Sequence, residues 1–92
     1  MVLKMSSENF DNFLKGIGKR LKYYRKEVKG LTQAEFGKPL KKSTNAVKNY
    51  EKGPQEDRDH QIPLDYLFEV SSHYKVRLEW LIFEQKPIQK KS

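Results

Sequence analysis

Two helix starts and one hard stop lie within residues 32–53, TQAEFGKPLKKSTNAVKNYEKG, and they constrain this chain more than any other feature of its sequence. Thr32 is an N-cap residue, and Glu35 three positions on completes a capping box, in which each side chain accepts a hydrogen bond from the other residue's free backbone N–H. Ala34, Phe36 and Gly37 then give one small or apolar face, and Leu40 closes that helix. Ser43 is a second N-cap. Ala46, Val47 and Tyr50 make the inner face of the next helix, and Gly53 followed by Pro54 stops it. The stretch predicts two short helices joined by a tight turn. The outer face of the second carries Thr44, Asn45, Lys48, Asn49 and Lys52, with no acid before Glu51.

A polar, amide-bearing and basic helix face suits the major groove of DNA, where Asn pairs with adenine edges and lysine meets phosphate. Charge distribution points the same way. The net charge is +7, but residues 1–53 hold 13 Lys/Arg against 5 Asp/Glu and residues 54–92 hold 6 against 7. All the excess sits in the half with the paired helices, the footprint of a polyanion binder. The bland alternative, a solubilising lysine surface, explains the charge without explaining the helix pair beneath it.

Four pieces of sequence in order resemble the Cro/repressor type of helix-turn-helix domain, the XRE-like family of phage repressors and bacterial regulators. They are Ile17-Gly18-Lys19-Arg20-Leu21, then residues 30–36 (GLTQAEF), then residues 43–53 ending Tyr50-Glu51-Lys52-Gly53, then Val76 to Leu81 with Trp80. The resemblance covers roughly residues 14–83. It implies an all-α, compact five-helix repressor-like domain with a central helix-turn-helix and an N-terminal helical extension. The whole chain would be one domain: extension 1–13, core 14–83 and a flexible tail at 84–92.

The resemblance also implies roles. Thr44, Asn45 and Asn49 match positions that read base edges, and Lys48 can reach a base edge or a phosphate. Gln33 matches a glutamine that bonds a DNA phosphate and braces the recognition helix; Ser43 and Lys52 touch the backbone. In relatives an arginine late in the first helix pairs with the glutamate matching Glu51. Arg25 and Lys26 both qualify, because this chain has one extra residue between Arg25 and Gln33. Three departures concern the turn. Pro39 falls inside the usual second helix, Lys41 replaces a turn glycine and Lys42 replaces an inward apolar residue. A left-handed conformation at Lys41 would cost about 1 kcal/mol, and Lys42 must snorkel or the turn takes another shape. Lys41 and Lys42 are instead placed to meet phosphate.

Upstream, Phe10, Phe13, Leu14, Ile17, Leu21, Tyr24 and Val28 recur at three- and four-residue spacings. This is one long amphipathic helix, or two pieces meeting at Gly16–Gly18. Lys15, Lys19, Lys22, Lys26 and Lys29 form its solvated face, and Gly30 ends it. Residues 1–7 are expected to be flexible, with Lys4 as a possible basic arm. Residues 54–62, PQEDRDHQI, read as a long acidic loop; Asp57, Asp59 and His60 lack metal-site spacing. Pro63 suits the first turn of a further helix, with Leu64, Leu67, Phe68, Ser71 and Tyr74 inward. A last short helix from about Arg77 to Glu84 has more apolar groups than one buried stripe can hold. Trp80 and Leu81 cap the core, which leaves Leu78, Ile82 and Phe83 as a self-complementary patch for a homodimer. The competing reading has Phe10, Phe13 and Leu14 cover that patch within one chain. The tail QKPIQKKS reads as polar and loose.

The 92 residues contain no cysteine, so disulfides, cysteine-ligated zinc and a thiol nucleophile are excluded. The longest wholly apolar run is Leu81-Ile82-Phe83 and the opening MVLKMSSENF lacks an apolar signal core, so the expectation is a cytoplasmic protein with no membrane partner. The leading function is a sequence-specific regulator, a repressor occupying an inverted repeat of double-stranded DNA as a dimer, with no cofactor. The alternative is a protein-interaction module of the same fold, such as an antitoxin or bridging factor, with a protein partner. An enzyme is the poorest reading, since no nucleophile or metal motif is present.

Overall fold

The computed structural model describes residues 7–53 and 62–90, and side chains from Asn9 onward. The described residues form five α-helices: α1 (Ser7–Tyr23), α2 (Gln33–Gly37), α3 (Thr44–Lys52), α4 (Leu64–Tyr74) and α5 (Leu78–Phe83). No strand occurs among them beyond an isolated bridge between Val76 and Gln89. The expected all-α, five-helix architecture is the one observed. Residues 1–6 and the acidic loop at 54–61, with Asp57, Asp59 and His60, lie outside the described residues.

The first helix is continuous: α1 passes through Gly16 and Gly18 without interruption. Gly18 is there because α3 ends against it. A Cβ at Gly18 would stand 2.5 Å from the Glu51 carbonyl oxygen and 3.0 Å from that of Tyr50. The change of geometry comes later, in a π-type turn over Tyr24–Val28 that widens the helix by about one residue per turn. There the Lys29 N–H donates to the Tyr24 carbonyl at 3.0 Å and the Leu31 N–H to that of Arg25 at 2.9 Å. This turn keeps Tyr24 and Arg25 buried while turning Val28 outward (41% exposed). Gly30, at φ +65°, then reverses the chain. Phe10, the other apolar residue of the series left outside (40% exposed), lies at the far end of α1.

Pro39 ends α2 rather than bending it. After Gly37 the backbone tightens into a 3₁₀ turn over Lys38–Leu40, where proline's missing N–H costs little. Lys41 takes the left-handed conformation (φ 57°) that a glycine would adopt freely, and the Lys42 N–H donates to the Gly37 carbonyl at 3.0 Å. Lys42 is half-buried.

Three expectations about the C-terminal half are corrected. In α4 the buried residues are Tyr66, Leu67, Val70 and Ser71, whereas Leu64 and Phe68, read as inward, are 72% and 63% exposed. With 3.6 residues per turn, a one-residue error of phase rotates the assigned face by about 100°. The Tyr66 ring, 4.4 Å from that of Tyr50, takes the inward place. Pro63 is also the N-cap, one position before the first turn. The segment after α5, read as a loose tail, folds back. The Arg77 N–H donates to the Ile88 carbonyl (2.8 Å) and the Lys90 N–H to that of Lys75 (2.7 Å), and Ile88 packs on the core. The Gln89 amide accepts from the Tyr24 hydroxyl at 2.7 Å and donates to the carbonyls of Tyr74 (3.1 Å) and Lys75 (2.6 Å).

Candidate nucleic-acid interface

Both caps of the helix pair form as the residue types require. The Thr32 Oγ1 accepts from the Glu35 N–H at 3.1 Å and the Glu35 carboxylate accepts from the Thr32 N–H at 2.9 Å. The Thr32 backbone N–H first, and then the Thr32 hydroxyl, hold the Glu35 carboxyl below the usual carboxylate range. The Ser43 Oγ accepts from the Ala46 N–H at 3.1 Å, starting α3.

Three polar residues fix α3 against the body. The Arg25 Nε donates to Glu51 Oε2 at 2.7 Å and its Nη2 to Oε1 at 3.1 Å, both side chains being buried. The Arg25 Nη1 also donates to the Leu31 carbonyl at 2.8 Å. Arg25, not Lys26, is therefore the partner of Glu51. Gln33 Nε2 donates to Glu51 Oε1 at 3.1 Å, tying the start of α2 to the end of α3. A primary amide carries a second N–H, which remains for an acceptor outside. Gly37 completes the seat: a Cβ there would lie 2.7 Å from Val47 Cγ2. Val47 is fully buried and Ala46 and Tyr50 half-buried, as expected of an inner face.

The opposite face of α3 is open. Thr44, Asn45, Lys48 and Lys52 are exposed and Asn49 is half-buried. Asn45, Lys48, Asn49 and Lys52 follow the i, i+3, i+4, i+7 spacing of one helix face. Ser43, beside it, is exposed. Lys48, Lys52, Gln33 and Glu51 line a cleft of about 410 Å³ whose other wall is Lys15, Lys19 and Lys22 of α1. Five lysines thus surround one buried, already paired carboxylate. Lys15, Lys19 and Lys22 are exposed, as expected of a solvated face, and their i, i+4, i+7 spacing makes them a single stripe. Lys41 is not brought to this cleft; it lines a separate groove with Pro39, Phe68 and His73.

The C-terminal patch divides. Leu78 and Ile82 are half-buried against the core, and Phe83 is 64% exposed. Phe13 reaches Phe83 with ring centroids 6.2 Å apart, and Leu14 is a core residue, so the N-terminal extension covers the patch in part. Exposed Leu64 and Phe68 on α4 were missed in the sequence.

Among the described residues no three or more His, Cys, Asp or Glu side chains gather as a metal site would require, and no helix is long and apolar enough to cross a membrane. No family model, curated protein or solved structure matches this chain.

Proposed function

We propose that this chain is a sequence-specific DNA-binding transcriptional regulator, acting as a cytoplasmic repressor that occupies an inverted-repeat operator as a homodimer. The observation that carries this reading is the union of an open, amide-bearing α3 face with the five-lysine cleft beside it. Asn45 and Asn49 carry the paired donors and acceptors that match an adenine edge, and Thr44 and Lys48 flank them. Gln33, Ser43, Lys52 and the turn lysines Lys41 and Lys42 offer donors to phosphate, which position the helix without reading sequence. The buried Arg25–Glu51–Gln33 bonds hold the reading helix rigid, so its side chains meet the groove in one orientation. Occupancy of the operator needs no cofactor and no catalytic step. Phe83, with Leu78 and Ile82 beside it, supplies apolar surface for the second subunit, which would set two α3 helices about one DNA turn apart.

A protein-interaction role, as in an antitoxin or a bridging factor, is favoured by one further observation: Leu64 and Phe68 are one helical turn apart on α4 and both largely exposed. Salt dependence separates the two. Each phosphate neutralised lowers the slope of log affinity against log salt by about 0.9. The expected result is a steep slope on duplex DNA that shallows when Lys15, Lys19 and Lys22 are changed to Ala. Absence of duplex binding at moderate salt would overturn the DNA reading.

A further inference from the structure

Lys19 faces two spaces. On one side it lines the lysine cleft against α3, and on the other a groove of about 580 Å³ between α1 and the segment that returns after α5. The α1 wall of this groove is Gly16, Lys19, Arg20 and Tyr23, one stripe at i, i+3, i+4 and i+7. Trp80 borders it from α5, and Lys86 and Ile88 close the far side. Tyr23 is 49% exposed although its ring centroid lies 6.1 Å from that of buried Trp80, at 53° between planes. An aromatic ring is thus held against the body while much of its surface stays open.

Polar groups in the groove are set for an anion. Arg20 is fixed by donating from Nε to the Leu81 carbonyl (2.7 Å) and from Nη2 to that of Ile82 (2.8 Å). Its Nη1 lies beside Gly16, 3.3 Å from where a Cβ would stand, so any larger residue at 16 would crowd that nitrogen. Lys19 and Lys86 stand with Arg20 against one carboxylate, Glu84. The volume falls in the range of small-molecule sites, which are apolar spaces with a few convergent polar groups.

We propose that this groove binds a small aromatic carboxylate, its ring on Tyr23, Trp80 and Ile88 and its carboxylate between Arg20, Lys19 and Lys86. Occupancy draws Lys19 away from the α3 cleft, so the ligand weakens DNA binding. That coupling rests on the DNA reading; the groove does not.

The test uses the full chain, 2-naphthoate as probe, and the indole N–H resonance of Trp80, the single tryptophan. Naphthoate is expected to shift that resonance saturably, with the neutral 2-naphthamide several-fold weaker. Lys86→Glu should weaken naphthoate roughly tenfold, since it removes a charge-assisted contact and adds a repulsive one. Gly16→Leu should do the same by filling the groove, at a helical position where leucine is the better helix former. No saturable shift in the wild type, or wild-type naphthoate affinity retained in both variants, would overturn the site without touching the DNA reading. Saturating naphthoate should also lower wild-type DNA affinity roughly threefold and leave that of Lys19→Ala unchanged, by reciprocal linkage. Unchanged wild-type affinity would overturn the coupling alone.

Discussion

Around α3 the fold depends on polar bonds and close backbone approach, whereas α4 and α5 are held by apolar burial and side chain-to-carbonyl bonds. The first region has the buried Arg25–Glu51 pair, Gln33, and glycines at 18 and 37 that let elements nearly touch. The second has Tyr66, Val70, Val76 and Leu81 in the core, the Phe36 and Tyr74 rings stacked at 4.4 Å, and the Tyr74 hydroxyl donating to the Phe36 carbonyl at 2.6 Å. Apolar contacts tolerate small shifts; a bidentate ion pair and a backbone contact fix both distance and angle. The helix that is proposed to read bases is thus the one given the least positional freedom.

The largest expected effect breaks the polar side of this contrast. Arg25→Met leaves the Glu51 carboxylate buried without its partner and should cost about 4 kcal/mol in urea unfolding. Arg25→Met with Glu51→Leu should recover most of it, because replacing both charges by apolar groups removes the orphan. A loss below about 1 kcal/mol in the single variant would show that the pair does not hold α3.

Next comes backbone approach. Gly18→Ala should cost about 2–3 kcal/mol in the same assay, because its Cβ would collide with main-chain carbonyls that cannot rotate away. Gly16→Ala, two residues earlier in α1, meets no backbone, only the Arg20 guanidinium at 3.3 Å, so the gain in helix propensity is offset by a small shift of that side chain and stability should change by less than about 1 kcal/mol. Equal effects at the two positions would remove close approach from the explanation.

On the other side of the comparison, Gln89→Ala removes three bonds to Tyr24, Tyr74 and Lys75. A loss of about 1–2 kcal/mol is expected, as two carbonyls and a partly buried hydroxyl lose a partner. Any DNA affinity should be unaffected, since the bonds lie outside the α3 seat. Smallest of all, Lys41→Gly should stabilise by about 1 kcal/mol by relieving the left-handed lysine, read as a rise in melting temperature.

The helix pair was legible because caps are local. Thr32, Glu35, Ser43 and Gly53 act within a few residues of themselves, and their identities alone mark where helices begin and end. The Arg25–Glu51 pair was legible only as a choice between Arg25 and Lys26. The π-type turn over Tyr24–Val28 that decides which of the two faces Glu51 is set by tertiary packing, not by a local signal. The phase of α4 was misread because Leu64, Phe68, Leu67 and Val70 are all apolar, so hydrophobicity alone does not select the inner face. The return of residues 86–90 was missed for the opposite reason. A polar, basic segment carries no hydrophobic period, yet Gln89 meets groups that only the folded chain brings together. The lysine cleft was hidden because its stripe on α1 acquires meaning only once α3 lies beside it.

One measurement tests the central claim most directly: selection of bound duplexes from a random DNA pool, with an Asn45→Ala/Asn49→Ala double variant alongside. Both positions are on the open face of α3, so the substitutions should leave the fold intact, as a matched melting temperature would verify. The account predicts that the wild type enriches an inverted repeat and that the variant loses or relaxes that preference while still binding duplex through its lysines. An identical consensus from both proteins, or no enriched sequence from the wild type, would contradict it.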